Sequence, residues 1–298
     1  MHILITGGTG LIGSHLIPTL IDQHSVSVYT RNVAAATHHV SSRAQLFSSL
    51  DKLDNLDQFD AVINLAGESI ANKRWTKKQK HRITQSRWSI TEKLTQLIKQ
   101  SSNPPKVFIS GSAIGYYGRQ AETLITEDYT EVYEEFSHEI CKKWEGLAQE
   151  AQSEKTRVCL LRTGIVLSRK DGALDKMLPA FKMGMGGPMA SGEQYMSWIH
   201  ISDVLEAIKF LLLSPSASGI YNLTAPNPVT NLEFSQTLAS QLKRPCAVKM
   251  PQFMLKVLFG EMSDLLIYGQ RVIPKRLQEQ GFNFKHPDLE SALAFIDP

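Results

Sequence analysis

Residues 2–13 read HILITGGTGLIG. Residues 2–6 are a short apolar, β-rich run, and Gly7, Gly8, Gly10 and Gly13 follow at once. From Leu11 onward, Leu11, Ile12, Leu16, Leu20 and Ile21 recur at helical spacing. Gly8, Gly10 and Gly13 fit G-x-G-x-x-G, and Gly7, Gly10 and Gly13 fit G-x-x-G-x-x-G. A glycine pattern alone says little. Between a strand and a helix, it lets backbone N–H groups approach a pyrophosphate at the helix N-terminus. The reading is a strand–loop–helix unit built to hold a dinucleotide.

Working outward, strands are expected over 26–30, 60–65 and 107–110, with a weaker one near 44–50. Helices are expected over 77–100, stopping before Pro104 and Pro105, and over about 136–153. A sixth strand covers 157–162. This alternation predicts an α/β fold, a Rossmann-type doubly wound parallel sheet with helices on both faces. After Arg162 the pattern changes. A Gly/Met/Pro-rich stretch, 183–192, reads as a loop over a site, and strand 195–201, helix 202–213 and strand 219–223 follow. The expected division is a dinucleotide-binding domain over 1–164, to which strands near 195–223 return, and a smaller, mostly helical substrate-side lobe over 165–298.

The 298 residues carry 32 Lys and Arg against 29 Asp and Glu, a net charge of +3 that is too even to suggest a nucleic-acid partner. No segment approaches the roughly 18 apolar residues that span a bilayer. The opening MHILITGG lacks a basic leader and reads as a strand, not a secretory signal. Cys141, Cys159 and Cys246 share no short spacing, which fits a reducing cytoplasm better than disulfides or a metal site. Seven Lys or Arg lie between Lys73 and Arg87, beside Trp75 and Trp88, and seven acids lie over 122–139. The two runs either face each other or are solvated.

A site for NAD usually places an acid about 20 residues beyond the glycines, to hold the ribose 2′-hydroxyl. No acid occurs between Asp22 and Asp51, and the second strand runs instead into Thr30 and Arg31. A guanidinium there pairs with a 2′-phosphate, so NADP is favoured over NAD. The plain alternative is a solvated charge at a strand end. Arg87 falls on the apolar stripe of Ile83, Ile90, Leu94 and Leu97. Facing inward, it needs an anionic partner: a cofactor, an anionic substrate or an internal salt bridge.

TGGTGLIG (6–13), NLAG (64–67), SGSAIGYYG (110–118) and WIHISDV (198–204) resemble the extended short-chain dehydrogenase/reductase superfamily, which includes nucleotide-sugar epimerases. NLAGESIANKRW (64–75) and GEMSDLLIYGQRVIPKRLQEQGFNF (260–284) resemble more narrowly the YfcH-like "epimerase family" proteins, an atypical subgroup with its own C-terminal domain, here about 245–298. The resemblance implies NADP(H) as cofactor. Gly7, Gly10, Leu11, Ile12 and Gly13 would wrap the pyrophosphate, and Thr30 and Arg31 would hold the adenosine phosphate. Leu65, Ala66 and Gly67 would lie beside the adenine ribose, with Arg87 reaching in from the next helix. Val166 would pass near the nicotinamide, and Trp198, Ile199 and His200 would line the substrate side. A small-molecule substrate and pairing of two copies through the helices after the fourth and fifth strands are implied as well.

The superfamily's acid/base pair, Tyr-x-x-x-Lys on the helix after the fifth strand, is missing. In the family's register Ser137 stands where the tyrosine belongs and Cys141 where the lysine belongs. Ser112 is placed for the superfamily's hydroxyl, and Tyr116 and Tyr117 are the nearest proton donors, though both suit structural packing equally. Two readings follow. One is an NADP-dependent oxidoreductase or epimerase with a displaced proton donor. The other is a silent NADP(H)-binding sensor or scaffold, in keeping with family members linked to cell or plastid division.

Overall fold

The central strands are apolar on both faces, so each face must be covered. In the computed structural model, which describes residues 1–169 and 171–294, both are. The chain begins β1 (His2–Thr6), α1 (Leu11–Leu20), β2 (Ser25–Tyr29), α2 (Val33–Ala36), β3 (Gln45–Phe47), β4 (Ala61–Asn64), α3 (Lys77–Gln100), β5 (Val107–Ala113). It continues β6 (Leu124–Ile125), α4 (Phe136–Gln149), β7 (Arg157–Thr163), β8 (Ile165–Leu167), α5 (Gly172–Lys182), β9 (Tyr195–Met196), β10 (Trp198–His200) and α6 (Ile201–Leu213). Last come β11 (Gly219–Leu223), β12 (Val229–Thr230), α7 (Asn231–Gln241), α8 (Gln252–Phe259), α9 (Asp264–Ile267), β13 (Arg271–Val272), α10 (Lys275–Glu279) and α11 (Leu289–Leu293).

Seven strands pair in parallel in the order β11-β7-β5-β4-β1-β2-β3. Period-2 alternation divides their side chains. Ile3, Ile5, Ile63, Ile109 and Leu161 pack with Leu16 and Ile17 of α1 and Ile208 and Leu211 of α6. Leu4, Val62, Phe108 and Leu160 pack on the other face with Leu94, Leu97 and Ile98 of α3 and Ala148 of α4. The strand order reverses between β1 and β4, which opens a crevice at the strands' C-terminal ends. Thr76 starts α3 by accepting a hydrogen bond from the Gln79 N–H.

One expectation is corrected and one open alternative is narrowed. Of the strands near 195–223, β11 joins the main sheet beside β7, whereas β10 pairs with β8 and β9 with β12. The basic run over 73–87 forms no ion pair with the acidic run among the described residues. Lys80 pairs with Glu261, and Arg74 donates to the carbonyls of Val257 and Leu258. The acids turn elsewhere, Glu135 to Arg119 and Asp128 to Lys275 and Arg276. The C-terminal segment supplies partners to both runs, Glu261 to Lys80 and Lys275 with Arg276 to Asp128. Among the described residues no helix is long and apolar enough to cross a membrane, and no group of three or more His, Cys, Asp or Glu could hold a metal ion.

Candidate functional site

A cleft of about 710 Å³ opens where the strand order reverses. Its floor is Gly7, Thr9 and Gly10 after β1, and its walls are Tyr29, Thr30 and Arg31 at the end of β2 and Leu65, Ala66 and Gly67 after β4. Glycine is required here. Gly7 has φ +72°, and a Cβ on it would sit 2.4 Å from the Leu65 carbonyl oxygen. A Cβ on Gly13 would lie 2.3 Å from the Gly7 oxygen, so α1 could not close onto the loop. A third wall comes from α3, whose His81, Arg82, Gln85, Ser86 and Ile90 line the same space. Arg31 and Arg82 are exposed and have no hydrogen-bond or ion-pair partner among the described residues. The lining's carboxylate is Glu68, beyond β4.

The remaining expected cofactor residues lie outside that lining. Ile12 and Val166 pack against the core, and Leu11 approaches Gly172. Arg87 lies behind Gly67, donating at 3.0 Å to the carbonyls of Glu68 and Ile83, with its guanidinium 5.2 Å from the Trp144 ring. Among the described residues Arg87 makes no internal salt bridge, because backbone oxygens satisfy it. Trp198 is fully buried in a second core with Leu174, Phe181 and Phe234. His200 caps α6, accepting from the Ser202 N–H, and lies 4.1 Å from the His286 ring.

At the C-terminal end of β5, next to β4 in the sheet, a buried network surrounds Ser112. Its hydroxyl donates to Glu145 at 2.6 Å, and the same carboxylate takes a two-pronged pair from Arg162 at 2.8 and 2.7 Å. The Arg162 guanidinium lies 3.5 Å from the Tyr116 ring centre and 4.8 Å from that of Tyr117. Tyr117 is wholly buried and its hydroxyl donates to Asn222 at 2.8 Å; burial raises its pKa, and Arg162 only partly opposes this. Tyr116 is half-buried, against the ring of His138. On α4, Ser137 donates to Glu135, and burial pushes the Cys141 thiol up to about 11. Neither residue stands in for the missing pair.

The family model for the NAD dependent epimerase/dehydratase family matches residues 3–224. The chain belongs to that family. A second model, a domain of unknown function (DUF1731), matches residues 250–296. Within the epimerase family, the chain is 38% identical to the chloroplastic SDR39U1 homolog of Arabidopsis thaliana, over 99% of this chain and 86% of that one. It is 37% identical to YfhF of Bacillus subtilis, over 99% and 97%. The crystal structure of human SDR39U1 (isoform 2) with NADPH superposes with a TM-score of 0.91 at 32% identity, covering 100% of this chain and 99% of that one.

Sequence reading missed the α3 wall and the Glu145–Arg162 pair. The first left a signal: 82, 85, 86 and 90 fall on one helical face. The second left almost none, since Arg162 reads as the polar end of an apolar strand.

Proposed function

We propose that this epimerase-family chain binds NADP(H) in the cleft and works in the cytoplasm as an oxidoreductase or epimerase on a small, nucleotide-sugar-like molecule. The observation that carries it is Arg31, unpaired at the rim of a glycine-floored cleft, where a carboxylate selecting NAD would otherwise stand. The NADPH held by the human relative supports the same choice. When bound, the nicotinamide supplies hydride transfer. The chain's own groups do the rest. Gly7 and Gly10 admit the pyrophosphate, and Arg31 takes the 2′-phosphate, with Arg82 adding positive charge from the facing wall. Tyr116 exchanges a proton with the substrate at its Oη, while Arg162, held by Glu145, fixes its ring.

The test is turnover and cofactor binding in parallel. Tyr116→Phe should abolish oxidation of bound NADPH by a fractionated metabolite extract while leaving NADPH binding unchanged. Full turnover in Tyr116→Phe would remove the proton-transfer role.

One observation favours a second reading. The serine hydroxyl that would face a substrate is bonded to Glu145, and α4 carries Ser137 and Cys141 in place of the usual pair. A sensor or scaffold would need no proton donor. In that case NADPH raises thermal stability or alters partner binding, and no metabolite fraction changes the cofactor's redox state. One specific, repeatable turnover rejects it.

A further inference from the structure

Most cations along the seam between the main sheet and the C-terminal segment are satisfied. Arg119 pairs with Glu135 and Asp264, Arg162 with Glu145, Lys80 with Glu261 and Arg276 with Asp128. Arg74 and Lys176 donate to backbone carbonyls. Arg271 differs. It is half-buried, its Nε reaches neither water nor an acceptor, and its guanidinium lies 5.0 Å from the Tyr195 ring centre. No described residue accepts a hydrogen bond from it. Folds rarely leave a desolvated guanidinium N–H without an acceptor.

The position of Arg271 is also held firmly. The Ser197 hydroxyl donates to the Gln270 carbonyl at 2.7 Å and accepts from the Val272 N–H at 2.8 Å, bracketing Arg271 on both sides. Gly269 presses so closely on Tyr195 that a Cβ would lie 2.2 Å from its carbonyl oxygen. The Ser197 carbonyl in turn accepts from the Ile165 N–H at 2.8 Å, and the paired strands β8 and β10 set Val166 beside Ile199. Val272 packs against Tyr117, next to Tyr116. Arg271 is thus fastened to β8 and β10 and, through Val272, to Tyr117 beside Tyr116, the residue given the proton transfer in the proposed function.

We infer that Arg271 anchors an oxyanion of the small-molecule substrate, a phosphate or a carboxylate, with Tyr195 as a flat wall beside it. This rests on the reading of the site as one that takes a substrate. A guanidinium fork matches the two oxygens of such a group, and a neutral ligand would leave its charge unanswered. Fixed backbone on both sides means little ordering remains to be done when the anion arrives.

The experiment uses the full chain saturated with NADPH, so that the glycine loop is already filled, and titrates inorganic pyrophosphate and malonate separately by calorimetry. At least one should bind, and which one does separates phosphate from carboxylate recognition. Arg271→Gln should weaken that binding at least tenfold with NADPH affinity unchanged. Arg271→Lys, which keeps charge and stem if the glutamine fails to fold, should lose less. Lys99→Gln, at a surface ion pair with Glu150, should lose nothing. Neither anion binding the wild type, or equal binding to the wild type and Arg271→Gln, overturns the inference. A wild type that takes no NADPH instead sinks the cofactor reading; the comparison of wild type with Arg271→Gln, made on the unloaded chain, still decides the role of Arg271.

Discussion

In the function proposed above, Arg31 discriminates between two cofactors that differ by one phosphate. Its exposed guanidinium has no partner among the described residues, so the interaction it offers goes to whatever enters the cleft. A hydrogen bond to a charged group is worth about 1.5–3 kcal/mol. Arg31→Gln should therefore weaken NADPH binding roughly 10- to 100-fold and leave NADH nearly unchanged, read by cofactor fluorescence. Arg82→Gln should lose less, about 3- to 10-fold, and its effect should fade with added salt because that side chain is exposed. Tyr117 belongs to packing. Removing its buried hydroxyl leaves Asn222 short of a partner, so Tyr117→Phe should cost about 1–3 kcal/mol in urea unfolding without changing NADPH affinity.

Between elements, β5, α4 and β7 are joined at the site by Ser112, Glu145 and Arg162. The two charges are almost completely buried, and each has the other as its answer. Breaking such a pair strands a charge, at about 3–5 kcal/mol. Glu145→Gln keeps the shape and should lower stability by that amount, seen as an earlier urea midpoint at unchanged slope. The α3 helix shows how element reading divides by scale. Its boundaries, 77–100, and its buried stripe were legible from periodicity and the prolines beyond its end. The roles of two of its arginines were not. Arg87 drew attention because it interrupts the apolar stripe, yet the carbonyls of Glu68, beyond β4, and of Ile83, one helical turn back, satisfy it. Arg82 looked like one charge among seven, and it is the one facing the cleft.

Across the whole molecule the C-terminal segment is part of the main body. Leu277 and Phe282 enter the main core, Val272 packs on Tyr117, and Glu127, buried after β6, accepts from the backbone N–H groups of Asn222 and Arg276. Losing those three apolar side chains alone forfeits roughly 1.5–3 kcal/mol each, comparable in sum to the total stability of about 5–15 kcal/mol. A chain ending at Lys249 should fail to show a cooperative thermal transition by circular dichroism. His200 and His286 also join α6 to this segment. Burial, with His286 beside it, holds His200 down to about 4, against an ordinary 6.5. The unfolded chain takes up this proton as pH falls through 6.5, and the folded chain resists until about 4. Stability from the site is full above that upper value and drains away between the two. The urea midpoint should fall between pH 7 and pH 4.5, and less steeply in His200→Asn.

Local pattern alone determined the parallel sheet, the glycine loop, the absence of an acid after β2 and the loss of the tyrosine–lysine pair. Each depends on neighbours within a few residues, where spacing translates directly into geometry. What meets what across the fold came only from tertiary structure. The pairing of Glu145 with Arg162, the facing of Arg82 toward Arg31's cleft and the bracketing of the unanswered Arg271 by Ser197 join residues from 17 to 75 positions apart. A charge reads the same along the chain whether water, a carbonyl or a ligand will neutralise it. Burial and distance decide which, and both are properties of the packed molecule.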